Sequence, residues 1–300
     1  MNHIVSVPLD EGLASFIGKK GSVNGITFFN RRHGDDVIVA LYPTDADGKP
    51  YGLAESMLVS EQIVISTADI GKAFGEVLIA ASLLGKRVLL TNDRDAGKFT
   101  SGGLLKDCEV VGREELLGKI TAYRPGRGSG SDAARVDIDK AFPVTGIGTV
   151  VLGVVISGTV KVHDVLHHNS GKSITVRSMQ SQDIDIKEAQ PGTRVGMAIK
   201  GMEHGEIEKG DVFSSVPIPS ARKAYARLSA SRIAGEQVRE GAQYLMVSNF
   251  SHVNARIKAG AEAELSLERP MPLLSGDAIL LMRQQQPRIF ASGVITRAEQ

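Results

Sequence analysis

The stretch IGKKGS, residues 17–22, is where this chain comes nearest to a phosphate-binding sequence. A phosphate loop needs glycines that let backbone amides approach, a lysine for the terminal phosphates, and a Ser or Thr hydroxyl for magnesium. Lys20, Gly21 and Ser22 supply the residue types, but they stand too far from the first strand for the usual strand-loop-helix. Other reactive groups are sparse. His167, His168, His204 and His252 are scattered, and adjacent histidines on a strand face opposite ways, so no metal site is expected. Neither a Gly-x-Ser-x-Gly nor a His-Glu-x-x-His sequence occurs. The single cysteine, Cys108, excludes an internal disulfide and a cysteine-based zinc cluster. It reads as a buried filler, and the Asp35-Asp36 pair reads as a solvated turn.

The chain has 300 residues, 42% of them hydrophobic and 23% charged, with a net charge of +1. That length accommodates two or three domains, and the balance gives no basic surplus for gripping nucleic acid by charge alone. No apolar stretch reaches the roughly 18 residues of a membrane helix, and no leader pattern opens the chain, so a cytoplasmic protein is expected. The first third alternates strands and helices. HIVSV, ITFFN and VIVALY read as strands, with a turn at His33-Gly34-Asp35. DEGLASFIGKKG reads as a short helix with Leu13, Phe16 and Ile17 on one face. Further along, GLAESMLV is helical, QIVIST is a strand, and Ile70, Phe74, Val77, Leu78 and Ala81 recur at helical spacing before a cap at Gly85. KRVLLTND, CEVVG and REELLGKI complete an α/β layer with a largely parallel sheet.

After Ile120 the texture changes. RPGRGSGS at 124–131 is a flexible break, and from Arg135 the chain runs strand-turn-strand. FPVTGIGTVVLGVVISG combines β-branched residues with glycines, which mark bulges and corners where the strand of a small barrel bends. From Pro219 a second all-β unit follows.

These segments carry a resemblance. FPVTGIGTVVLGVV, SGTVKVHDVL, PGTRVGMAIKG and IEKGDV stand in the order of the second domain of translational GTPases, from Val136 to Phe213. That family includes elongation factor Tu and the selenocysteine-specific elongation factor. AELSLERPMPLLSGDAILLMRQQQPRIFASGVI is similar to the final barrel of the same factors. The resemblance implies a multi-domain chain: an α/β P-loop GTPase-like domain over 1–120, then two small antiparallel β-barrels over 121–218 and 219–300.

It also implies where nucleotide would bind. Counted from Val7, Gly12 falls on the second glycine of the loop, Leu13 on the lysine and Ala14 on the hydroxyl residue. A literal Asp-x-x-Gly occurs at Asp45–Gly48. At the guanine-reading segment Asn92 and Asp95 are in register, but Asp93 replaces lysine. The expectation is a degenerate domain, resembling archaeal paralogues of these factors, with no cofactor and no hydrolysis. The alternatives are an active GTP-binding factor that holds GTP and Mg through the atypical IGKKGS loop, and a protein-interaction scaffold.

In the family the second domain receives the aminoacyl end of transfer RNA. By resemblance Asp139, Lys140, Phe142 and Leu152 line that pocket, with Lys140 standing where elongation factor Tu has an acid. The implied partner is transfer RNA or a ribosome-associated component, bound without a nucleotide switch. The modestly basic run ARKAYARLSASRIAGEQVRE reads as a solvated face.

Overall fold

The computed structural model describes residues 1–44, 51–68, 70–91, 105, 108–124, 133–218, 220–235 and 237–300. The N-terminal unit comprises β1 (Asn2–Ser6), α1 (Glu11–Ile17), β2 (Lys19–Val23), β3 (Ile26–His33), β4 (Asp36–Pro43), α2 (Tyr51–Val59), β5 (Gln62–Ile65), α3 (Lys72–Leu84), β6 (Arg87–Thr91), β7 (Cys108–Val111) and α4 (Arg113–Ala122). Its sheet runs β2-β3-β4-β1-β5-β6-β7. From β4 to β7 the pairings are parallel, and the central strands β1, β5 and β6 are buried on both faces because helices cover each side. β2, β3 and β4 pair antiparallel, so the largely parallel sheet expected from the sequence carries an antiparallel extension at one edge. The helix over DEGLASFIGKKG stops at Ile17: Leu13, Ala14 and Ile17 are buried, Phe16 is exposed, and Lys19 onward is strand. Ile70 lies outside α3 and is exposed, whereas Gly85 caps that helix at φ 60°.

The first barrel holds β8 (Arg135–Val144), β9 (Gly148–Ser157), β10 (Val160–Lys161), β11 (Val165–His168), β12 (Ser173–Ser181), β13 (Ile184–Ile186), β14 (Glu188–Ala189), β15 (Arg194–Lys200) and β16 (Val212–Ser214). The order β11-β16-β8-β9-β15-β12 closes through β11–β12, with β13 added outside β12. The glycine-valine stretch is the β8–β9 hairpin. A Cβ on Gly153 would stand 2.6 Å from the Asp137 carbonyl oxygen, so the two strands cross there only because that carbon is missing. The second barrel is closed by β17 (Ser220–Ala230), β18 (Gln243–Ser248), β19 (Ser251–Lys258), β20 (Ala263–Pro272), β21 (Ala278–Met282) and β22 (Ile289–Glu299), in the order β17-β20-β19-β18-β21-β22.

Two apolar clusters cross between units. One joins α2, α3 and the adjoining strands to Val247, Leu280, Met282 and Ile289 of the second barrel. The other packs Ile4, Ile26, Phe28, Val39, Leu41 and Val59 with Val154 of the first barrel and Phe250 of the second. Between the barrels, buried Arg135 donates to Asp137 at 2.6 and 3.1 Å and to Asp277 at 2.7 and 3.0 Å. Burial opposes its charge, but the two carboxylates outweigh that and raise its pKa. Lys86, partly buried, donates to the carbonyls of Met57, Leu58 and Ser60 at 2.7, 2.5 and 2.6 Å, closing the C-terminal end of α2.

Replacing Arg135 by Met leaves two buried carboxylates facing each other without a cation. The expected loss is about 3–5 kcal/mol in urea unfolding, against little for an exposed arginine such as Arg227. Burial pushes Lys86 down to about 7 from 10.5. The unfolded chain therefore binds more protons than the native one between those values. The stability of the wild type relative to Lys86→Met should thus rise as pH is raised from about 7 to 10.5, measured by denaturation at each pH.

Candidate functional site

Two places were open to anion chemistry, the start of α1 and the surface around Lys19–Ser22. β1 ends at Ser6, Val7 still donates to the Leu41 carbonyl at 2.8 Å, and α1 begins four residues later. Asp10 caps the helix, its Oδ1 accepting from the Leu13 amide at 2.8 Å, with Arg113 3.8 Å from Oδ2. The free amides that would receive a phosphate thus already face a carboxylate of the chain itself. Gly12 lies in the first turn. Leu13 and Ala14 are fully buried against Val5, Val7 and Ile38, so neither a lysine nor a hydroxyl is presented. The groups at this end of α1 do not fit a nucleotide phosphate. Asp45–Gly48, Asn92 and Asp95 lie outside the described residues.

The Lys19–Ser22 run is part of edge strand β2, with no helix after it. It forms one wall of a cleft of about 420 Å³ whose other wall is the first barrel. Lys19, Lys20, Ser22 and Asn30 stand on one side; Leu152, Gln180, Gln182 and Arg194 stand on the other. Gln182 donates to Asn30 Oδ1 at 3.0 Å across the gap.

Arg194, first residue of β15, is 8% exposed. Its Nη2 donates to Asp139 Oδ2 at 2.9 Å and to Ser22 Oγ at 2.8 Å, and its guanidinium carbon lies 3.3 Å from the Phe28 ring centre. Among the described residues, Arg194 Nη1 and Asp139 Oδ1 are buried polar atoms without a hydrogen-bond partner. Burial lowers the Arg194 pKa against the opposing pull of Asp139. Arg194 thus brings a buried cation with one unmatched donor to the base of the cleft, and Lys19 adds positive charge on the opposite wall, where Lys20 is paired with Glu11 at 2.9 Å and Asp183 is the single acid of the lining.

The residues singled out by resemblance lie on the β8–β9 ladder but divide between surroundings. A register shift beside Asp139 turns its side chain inward, where it is fully buried against Arg194. Lys140 is exposed, 6.0 Å from the half-buried Phe142 ring, and pairs in register with Leu152. Of the four, Leu152 lines the cleft. Arg194 escaped the sequence reading; the available signal was a lone charge opening the otherwise apolar run RVGMAI. Elsewhere, burial raises the Cys108 thiol to about 11, far from a nucleophile's range. Among the described residues no group of three His, Cys, Asp or Glu side chains could hold a metal, and no helix is long and apolar enough to cross a membrane.

Residues 148–214 match the family model of elongation factor Tu domain 2. The chain is 28% identical over 289 residues to the uncharacterized protein MJ0325 of Methanocaldococcus jannaschii, covering 91% of this chain and 92% of that one. It is 33% identical over 86 residues to elongation factor 1-alpha of Metallosphaera sedula, spanning 28% of this chain and only 20% of that factor. Its fold is similar to that of translation elongation factor SelB from Methanococcus maripaludis bound to the GTP analogue GppNHp. That likeness has a TM-score of 0.80 and 19% identity, and covers all of this chain and 80% of SelB. The domain match, the elongation-factor relatives and the α/β unit followed by two closed six-stranded barrels together place the chain in the translational GTPase superfamily.

Proposed function

We propose that this protein is an elongation-factor-like module that holds the aminoacyl end of a transfer RNA without binding or hydrolysing GTP. One observation carries the nucleotide-free part: the anion position at the start of α1 is filled by the Asp10 carboxylate, with Leu13 and Ala14 buried behind it. A phosphate brought there would displace that cap and meet negative charge without lysine or magnesium ligand to balance it. The choice of ligand is supported by the cleft between β2 and the first barrel and by the kind of relatives the chain has. The RNA end would lie against Leu152 and the Gln180–Gln182 edge, its polar head group toward Arg194 and its backbone phosphates facing Lys19 and, in competition with Glu11, Lys20. IGKKGS thus serves as one wall of an RNA-end cleft, and the scaffold reading leaves the unmatched Arg194 donor without a purpose.

Millimolar GTP or GDP with magnesium should leave the melting temperature unchanged. A ligand at a hundred times its Kd would add about 2.7 kcal/mol and shift the midpoint by several degrees. A guanine-specific, magnesium-dependent shift would overturn this reading. Fluorescence anisotropy with aminoacylated and deacylated transfer RNA tests the other half. Binding should favour the aminoacylated form and weaken with salt. Lys19→Ala/Lys20→Ala, at exposed positions, should cost on the order of tenfold by removing about two phosphate contacts. Equal affinity for both forms, unaffected by the double variant, would exclude the cleft.

A further inference from the structure

Helix α2 follows the Asp45–Gly48 segment, and in a working GTPase the element after Asp-x-x-Gly is ordered by the γ-phosphate and its magnesium and released on hydrolysis. Here it is gripped by side chains of all three units. Glu55, on α2, is fully buried. Its Oε2 accepts from Lys209 Nζ of the first barrel at 2.5 Å, and its Oε1 lies 3.3 Å from His252 Nδ1 of the second. Lys209 Nζ also donates to the Asn24 carbonyl at 3.1 Å, tying the same cation to the β2–β3 turn. The His252 ring stacks on Tyr51, the first residue of α2, at 3.9 Å and 20°.

The contact surfaces around this carboxylate leave no slack. A Cβ on Gly52 would stand 2.7 Å from the Gly25 carbonyl oxygen, so α2 touches the β2–β3 turn backbone. A Cβ on Gly210 would stand 2.7 Å from Ser251 Cβ, so the two barrels touch beside Lys209. Phe28 and Phe250 meet at 6.4 Å in the apolar cluster shared by the three units.

Apolar surfaces hold the units together but are tolerant of sliding, because burial is non-directional. A buried carboxylate is not tolerant. In any arrangement that keeps the seam covered but moves Lys209 or His252 away, Glu55 is left unpaired and out of water. The carboxylate therefore selects one arrangement among those the apolar seam would permit. The cleft at Arg194 depends on that selection, since one of its walls is β2 and the other the first barrel. The Asn24–Gly25 turn gripped by Lys209 directly follows β2, and Asn24 Nδ2 donates to the Asp139 carbonyl at 2.6 Å.

We infer that Glu55, with Lys209 and His252, is a positioning latch that fixes the three units in one closed arrangement and keeps the Arg194 cleft permanently formed, without nucleotide. The inference rests on the nucleotide-free reading above and adds the residues that replace the switch. Spin-label distances test it in the full chain. Labels would be placed pairwise at His33→Cys, Val165→Cys and Ile233→Cys, all exposed, in a Cys108→Ser background. The wild-type pairs should each give one narrow distribution, unchanged by GTP or GDP with magnesium. Glu55→Gln, which keeps the shape and removes the charge, should add a second, longer population between the N-terminal unit and each barrel. Lys209→Met, at a partly exposed position, should do the same for the first-barrel pair and serves if Glu55→Gln does not fold. Narrow distributions identical to wild type in both variants would overturn the latch while leaving the nucleotide-free reading intact. A nucleotide-dependent shift in the wild type would instead overturn that reading.

Discussion

A guanidinium taken out of water must be given partners, and the arrangement of this molecule around Arg194 follows from that requirement. Arg194 belongs to the first barrel, yet it lies against Phe28 and Ser22 of the N-terminal unit and shares its charge with Asp139. Neither unit alone could bury this group. The face of β3 that carries Phe28 is the face that packs on Val154 and Phe250, so the aromatic ring covers the cation and also seals the apolar seam. The cation is matched on one edge and unmatched on the other. The same burial that holds the units together leaves one donor of a cleft-lining residue unmatched.

The N-terminal unit pairs a parallel core with a first turn that is closed by its own side chains. Its parallel core, β4-β1-β5-β6-β7, is the layer on which a nucleotide site is ordinarily built at the strand ends. In the turn after β1 the acidic cap Asp10 satisfies the helix, and Leu13 and Ala14 are buried behind it. Lys19, Lys20 and Ser22 stand on the β2–β3 hairpin, at the edge of the sheet. An edge strand with lysines resists pairing with other sheets, and on this edge they also face a cleft.

Much of the fold was legible because its signals are local. Valine runs punctuated by glycine can only be strands that bend or cross closely, and the β8–β9 hairpin is built that way. Gly85 and the Phe74-Val77-Leu78-Ala81 spacing fixed α3. β2 was not legible: KKGSV is short and polar, and it is a strand only because β3 offers an edge. Phe16 shared the period of Leu13 and Ile17 but ends exposed, since Ala14 completes the buried stripe. The site was less legible still. Asp139, Lys140 and Phe142 sit close together in sequence, but a bulge sends the first inward and leaves Lys140 outside. Arg194 gains its meaning from Phe28 and Ser22, more than 150 residues away, which no local pattern encodes.

The order of strands in the second barrel bears on how the chain matures during synthesis. β17, the first of its strands to be made, pairs with β20 and with β22, the last. Residues Val247, Leu280, Met282 and Ile289, which cover the apolar side of α2 and α3, belong to this late-closing barrel. A nascent chain therefore carries an N-terminal unit with an uncovered greasy face until residues near 290 have emerged. For that interval it is exposed to non-native association, and the slow, long-range closure of β22 onto β17 sets when the exposure ends.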